Sequence, residues 1–205
     1  MSNATREVLV AGVGMVPFSK PSAGATYDEL GRTAIQLTLA DASIPYSLVE
    51  QAYAGYVFGD SCCGQRVVYG AGMTGIPVIN VNNNCSTGST ALYLARQAIA
   101  SGAADCVLAV GFEQMNPGAI GSNYADRPSP FTDFDKACDD LVDVDLPLAL
   151  RYFGGAGREH MEKYGSTIND FAKIRAKASR HAAKNPLSVF RTEMTEEQVL
   201  AEQLI

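Results

Sequence analysis

The sequence predicts an α/β fold, layered α-β-α around a mainly parallel sheet, and three observations carry that reading. Short apolar runs alternate with helical patterns through the first 111 residues, the order that builds parallel sheets covered by helices. The run Cys106–Val110 is apolar without interruption, as a strand covered on both faces must be. From Asn116 the composition turns to Gly, Pro, Ser and Asp with little periodicity, which marks a loop and helical excursion inserted after that core.

The elements follow in chain order. Val8-Leu9-Val10-Ala11-Gly12-Val13 reads as a buried strand with a glycine exit. Thr26-Tyr27-Asp28-Glu29 has the spacing of a capping box, with Thr26 as cap and Glu29 as its reciprocal partner. The helix behind it places Leu30, Ala34, Ile35 and Leu37 on its apolar side and runs to Ala42. Gln51–Phe58 is a second strand, Gly64–Gly72 a helix, and Pro77–Val81 a third strand. A helix over Ser86–Ala100 follows, with Ala91, Leu94, Ala95 and Ala98 on one face and Ser101-Gly102 as its stop. Beyond the Asn116–Pro147 loop, Gly157–Tyr164 and Ile168–Lys184 read as helices, and Glu196–Leu204 as a final polar one. The expected division is a nucleophile-bearing core over 1–115, an excursion over 116–195 and the start of a return to the core over 196–205.

Composition narrows the function classes. The 205 residues are 47% apolar and 19% charged, ordinary for a folded domain. A net charge of −6 argues against a general nucleic-acid binder, which is usually basic. No apolar run approaches ~18 residues, so no membrane span is expected. Met1–Glu7 lacks the basic start and long apolar stretch of a secretory signal. The five cysteines, Cys62, Cys63, Cys85, Cys106 and Cys138, include no C-x-x-C pair, so neither a zinc site nor a disulfide framework is expected. Free thiols in a reducing compartment are the simpler reading.

The informative stretch is Val78-Ile79-Asn80-Val81-Asn82-Asn83-Asn84-Cys85-Ser86-Thr87-Gly88-Ser89. A strand ends, three asparagines turn the chain, and Cys85 falls at the first position of a long helix. Unpaired backbone N–H groups and the positive end of the helix dipole meet there, which favours a thiolate and should depress its pKa. The same amides can donate to an oxyanion formed when the sulfur attacks a carbonyl. Gly88, with no Cβ, lets a substrate or another backbone segment approach. Local physics leaves two roles open for Cys85, a nucleophile or a small buried apolar residue.

These residues resemble the nucleophile loop of thiolases: Asn84-Cys85-Ser86-Thr87-Gly88-Ser89, then Gly102-Ala103-Ala104-Asp105-Cys106-Val107-Leu108-Ala109 and Gly111-Phe112-Glu113-Gln114-Met115. Gly64-Gln65-Arg66 and Met73-Thr74-Gly75-Ile76-Pro77 are similar to the family's approach to that loop. The triple asparagine, Tyr56-Val57-Phe58-Gly59-Asp60-Ser61 and Gly157-Arg158-Glu159-His160-Met161-Glu162-Lys163-Tyr164-Gly165 resemble the sterol-carrier-protein-X branch. The likeness runs from Val8 to Pro186.

The resemblance implies the N-terminal half of a thiolase fold and an acyltransferase acting on 3-oxoacyl-CoA, in fatty-acid or sterol side-chain metabolism. It makes Cys85 the nucleophile and its backbone N–H part of an oxyanion site. It implies no bound cofactor and no metal, with coenzyme A and acyl-CoA as substrates. Arg151, Tyr152 and Phe153 fall where relatives line the pantetheine channel, although plain packing explains Tyr152 and Phe153 equally well. The remaining acid/base groups belong to a second half outside these 205 residues. A dimer through Asn80–Asn84, or assembly with a complementary half, is expected. The compartment follows the source: cytoplasmic in a bacterium, peroxisomal in a eukaryote. Two alternatives stay open: a catalytically silent fragment serving as a dimerisation or binding module, and a condensing enzyme of the ketoacyl-synthase kind.

Other features carry less. Gly12-Val13-Gly14 lacks the third glycine and the following helix of a dinucleotide fingerprint. Asp133, Asp135, Asp139, Asp140, Asp143 and Asp145 lack the glycine and terminal glutamate of a calcium loop and read as a solvated loop. Lys173, Arg175, Lys177, Arg180 and Lys184 form a basic helix face that is solvated or meets the phosphates of coenzyme A. His160 and His181 lie in polar helices and read as surface histidines. Cys106 reads as core and Cys138 as an exposed loop thiol.

Overall fold

The structure, a computed structural model, describes residues 6–20, 24–115, 124–138 and 148–202. The chain forms two compact units, 1–115 and 116–205. In the first, helix α1 (Tyr27–Ala42), strand β1 (Gln51–Gly55), helix α2 (Cys63–Tyr69), strand β2 (Val78–Val81), helix α3 (Thr87–Ala100) and strand β3 (Val107–Gly111) follow in order. All three strands are parallel, in the order β2-β1-β3, with Gly55 opposite both Val81 and Gly111.

That order fixes the layers. The chain moves one way from β1 to β2 through α2, then crosses back past β1 to β3 through α3. Right-handed crossovers in opposite directions put the two helices on opposite faces of the sheet. On one side α2 and α1 cover Ala52, Ala54, Leu108 and Val110, with Val67, Val68 and Ile35 at 0–1% exposure in the centre of the core. Burying one such side chain contributes roughly 1.5–3 kcal/mol before entropy is counted. On the other side α3 lays Ala91, Ala95 and Ala98 on the strands, and these small side chains bring helix and sheet close together.

The capping box on α1 forms as expected: Glu29 accepts from the Thr26 N–H (3.1 Å) while the Thr26 hydroxyl turns to Asp28 (2.6 Å). The expected strand over Val8–Val13 does not form. The segment belongs to no sheet, and Leu9, Val10 and Val13 are 78%, 73% and 68% exposed. A strand is a property of a pair, and no described strand lies against this one to cover its apolar side chains. The segment is instead tied to α1: Val13 N–H donates to Asp41 (2.8 Å), and a Cβ on Gly12 or Gly14 would strike Ala42 or Thr38. These glycines therefore serve close packing, in keeping with the absence of a dinucleotide fingerprint.

The second unit is helical: α4 (Thr132–Cys138), α5 (Leu148–Tyr164), α6 (Ile168–Ala183) and α7 (Glu196–Leu200), with α7 packed on α6. Three expectations need correction. Part of the stretch read as irregular is helix α4, which carries Asp133 and Asp135; Asp139, Asp140, Asp143 and Asp145 lie outside the described residues. Helix α5 starts nine residues earlier than Gly157, since its glycines lower helix propensity without breaking the hydrogen-bonded ladder. Cys138 ends α4 half-buried, so it is no exposed loop thiol.

Candidate active site

Three parallel strands end at the same edge of the sheet, the side where α/β proteins bind ligands. Leaving that edge are Tyr56–Phe58 after β1, Asn82–Ser86 after β2, and Phe112–Glu113 after β3. The start of α3 lies against it because two strands finish in glycine. A Cβ on Gly55 would sit 2.9 Å from Thr87 Cγ2, and one on Gly111 would sit 3.6 Å from Gly88 Cα.

Cys85 is exposed in the bend between β2 and α3. Its placement corrects the sequence reading. Thr87 is the first helical residue and Ser86 the cap, so Cys85 stands two residues ahead of the helix. The reason is Asn84, which adopts a left-handed conformation (φ 47°) that asparagine tolerates better than most residues. That turn lets Asn83 O accept from Ser86 N–H (3.1 Å) and Asn84 O from Thr87 N–H (3.0 Å) before the helix begins. The Ser86 hydroxyl donates back to Asn83 O (2.8 Å), so the first turn of α3 has no side-chain cap. A methyl on Gly88 would meet nothing within 4 Å, so of the two partners expected for Gly88 the structure keeps open the approach of a substrate.

Sequence reasoning missed the residues that hold this edge together. Glu113 accepts from the backbone N–H groups of Val57 (2.9 Å) and Phe58 (3.2 Å), pinning the turn after β1 to the end of β3. Asn80 accepts from Gly64 N–H (3.0 Å) and donates to Gln65 (2.8 Å), tying β2 to the start of α2. Phe112 is stacked between Tyr56 (5.3 Å between centroids) and Tyr27 (5.7 Å). A glutamate just past a buried strand was the one available signal, and it pointed to no partner.

Arg151, Tyr152 and Phe153 lie on α5 in the second unit, apart in sequence and in unit from Cys85. Consecutive helical residues point about 100° apart, so the three do not share one face. Phe153 is 76% exposed, while Tyr152 is half-buried, edge-on to Phe134 (4.5 Å) and donating to Asp135. Loss of hydration and that bond push its phenol up to about 12. His160 Nδ1 lies 2.7 Å from Ser166 Oγ, and its ring rests on Tyr164, also within the second unit. Burial raises the pKa of the Cys106 thiol, helped by Glu50, as suits a packing residue.

Comparison with known proteins now places the chain. The family profile described as thiolase, N-terminal domain, matches residues 8–202, and the chain belongs to the thiolase family. It is 52% identical over 203 residues to sterol carrier protein 2 of Homo sapiens, covering 96% of this chain and 37% of that protein. It is 31% identical over 202 residues to the benzoylsuccinyl-CoA thiolase subunit BbsB of Thauera aromatica, covering 98% of this chain and 50% of the subunit. The Ltp2-ChsH2(DUF35) aldolase superposes with a TM-score of 0.70 at 23% identity, over 95% of this chain and 48% of that one, a likeness of fold. The chain thus spans half or less of the length of these relatives. Among the described residues no helix is long and apolar enough to cross a membrane.

Proposed function

We propose that the chain carries the acyl-accepting cysteine of a thiolase acting on 3-oxoacyl-CoA. The observation that carries this reading is the position of Cys85, exposed before an uncapped helix at the edge where three parallel strands end. The Cys85 thiolate attacks the keto carbon, forming a carbon–sulfur bond. The bond between the keto carbon and its neighbour then breaks, and its electron pair leaves with the shorter acyl-CoA, which takes up a proton. Coenzyme A thiolate next attacks the acyl-cysteine, and Cys85 departs as thiolate. The backbone N–H of Cys85 supplies part of the site that stabilises the oxyanion formed on addition. The acid/base groups that move these protons come from a complementary half, in the same gene product or a separate subunit. Arg151, Tyr152 and Phe153, together with the basic face of α6, are proposed to serve coenzyme A itself.

A second reading, an assembly module without chemistry of its own, is favoured by the outer edge of β2, which pairs with no described strand. Helix α3 also exposes Leu92 and Tyr93, at 57% each. The two readings are compatible if copies pair through this side, as expected for Asn80–Asn84.

Intact-mass analysis after incubation with acetyl-CoA or acetoacetyl-CoA separates them. An acetyl adduct on the wild-type chain that is absent from Cys85→Ala is the expected result. Folded wild-type protein without an adduct would leave only the assembly role for the chain alone.

A further inference from the structure

We infer that Thr87 is a positioning residue for this chemistry: its side-chain hydroxyl sets the direction of the Cys85 backbone N–H. The inference rests on the reading of Cys85 as the acyl acceptor.

Thr87 is only 5% exposed, and a buried hydroxyl is costly unless its hydrogen-bonding capacity is used. Here it is used in both directions, each time on the loop before Cys85. The Thr87 Oγ1 accepts from Asn83 N–H (2.8 Å) and donates to Asn84 O (2.6 Å). Asn84 O also accepts the Thr87 backbone N–H (3.0 Å), so one carbonyl is held by two donors from one residue.

That carbonyl belongs to the peptide unit whose nitrogen is Cys85 N. A trans peptide is planar, and its N–H points opposite its C=O. No cis peptide occurs among the described residues, so pulling Asn84 O toward the helix turns the Cys85 N–H away from it. The hydroxyl itself has little freedom. Thr87 Cγ2 lies against Gly55, and a β-branched side chain with its methyl packed has its χ1 fixed. Gly55 thus seats the methyl, the methyl aims the hydroxyl, and the hydroxyl orients the amide. Thr90 supports a neighbouring group only: it accepts from Asn83 Nδ2 (2.9 Å) and donates to Ser86 O (2.9 Å), and it touches neither carbonyl nor N–H of the Asn84–Cys85 peptide.

Thr87→Val keeps the shape and removes the hydroxyl; Thr87→Ser keeps the hydroxyl and removes the methyl. Two measurements on the full chain test the inference: the rate of acetyl transfer from acetyl-CoA to Cys85, and hydrogen exchange in the peptide covering residues 82–89. The expected result is that Thr87→Ser stays within about threefold of wild type. Thr87→Val should lose about tenfold or more in maximal acetylation rate, at an unchanged half-saturating acetyl-CoA concentration, with faster exchange in the loop. If Thr87→Val does not fold, Thr87→Ala takes its place under the same criteria. Equal rates in wild type and Thr87→Val overturn the inference, as does a Thr87→Ser as slow as Thr87→Val, since the methyl would then be what matters. A wild-type chain that takes no acetyl group overturns Cys85 as an acyl acceptor in the chain alone. Exchange then decides the Thr87 assignment alone, and an unchanged loop in Thr87→Val overturns it.

Discussion

At Gly88 the space beside the backbone is open on the side a Cβ would occupy, in the first turn of α3 and three residues from Cys85. Alanine is a better helix former than glycine by up to about 1 kcal/mol, so Gly88→Ala should melt no lower than wild type. If acyl-CoA enters over this turn, the same methyl obstructs it, and acetylation of Cys85 should fall about tenfold or more. Undiminished acetylation in a fully folded Gly88→Ala would show that substrate arrives from elsewhere. Cys85 and its asparagine turn were legible in the sequence because strand, turn and helix are local patterns. Its offset of two residues from the helix was not, because it depends on Asn84 adopting a left-handed conformation. Thr87 and Glu113 were illegible for a different reason. Their worth lies in hydrogen bonds to backbone groups, and residue type does not reveal which carbonyl or amide a hydroxyl or carboxylate will meet.

Among the elements, those with self-contained signals formed as expected. Helix α1 announces itself by its cap residues, α1 and α3 by a 3.6-residue apolar period, and β1, β2 and β3 by short apolar runs. The segment Val8–Val13 has an equally good run and still forms no strand, because pairing is not a local property. The expected range of helix α5 was cut short by its glycines, of which Gly155 is buried and Gly157 would bring a Cβ to 3.8 Å from Phe171 Cζ. Helix α6 offers a test of capping by pH. Asp170 accepts from the Thr167 backbone N–H (2.8 Å) and from its hydroxyl (3.0 Å), and these bonds, the backbone one first, hold its carboxyl below its ordinary value of 3.8. A depressed folded pKa means that the unfolded chain takes up the proton first as pH falls. The stabilisation from Asp170 is therefore complete above the ordinary value and is lost as pH drops through the folded one. Thermal melts of wild type and Asp170→Asn should differ by a constant amount near neutrality and converge in acid. A gap that persists undiminished at the acid end would remove the carboxylate from the account.

On the scale of the whole molecule, the first unit exposes apolar side chains along the segment before α1. Leu9 and Val10 are both largely exposed, although Gly12 and Gly14 further along the same segment pack closely on α1. Exposed, unpaired and apolar backbone of this kind invites association. The 205-residue chain should sediment as concentration-dependent oligomers, and Leu9→Lys combined with Val10→Lys should reduce that tendency while leaving the melting temperature nearly unchanged. Monodisperse behaviour of the wild-type chain at every concentration would show that this surface is innocuous. The relatives that this chain matches are at least about twice its length, and the layered fold class was nonetheless legible here, because alternating strands and helices impose it; the order β2-β1-β3 was not, since alternation does not say which strand lies in the middle.

The stack of Tyr56, Phe112 and Tyr27 has an optical consequence. The protein contains no tryptophan, so its near-ultraviolet spectrum belongs chiefly to nine tyrosines. Two of them, Tyr56 and Tyr27, are locked against Phe112 at the edge where β1 and β3 end, with interplanar angles of 16° and 25°. Fixed aromatic neighbours couple their transitions and give circular dichroism that freely rotating rings do not. The first unit therefore contains its own chromophore, able to report any change at these strand ends without a label being attached.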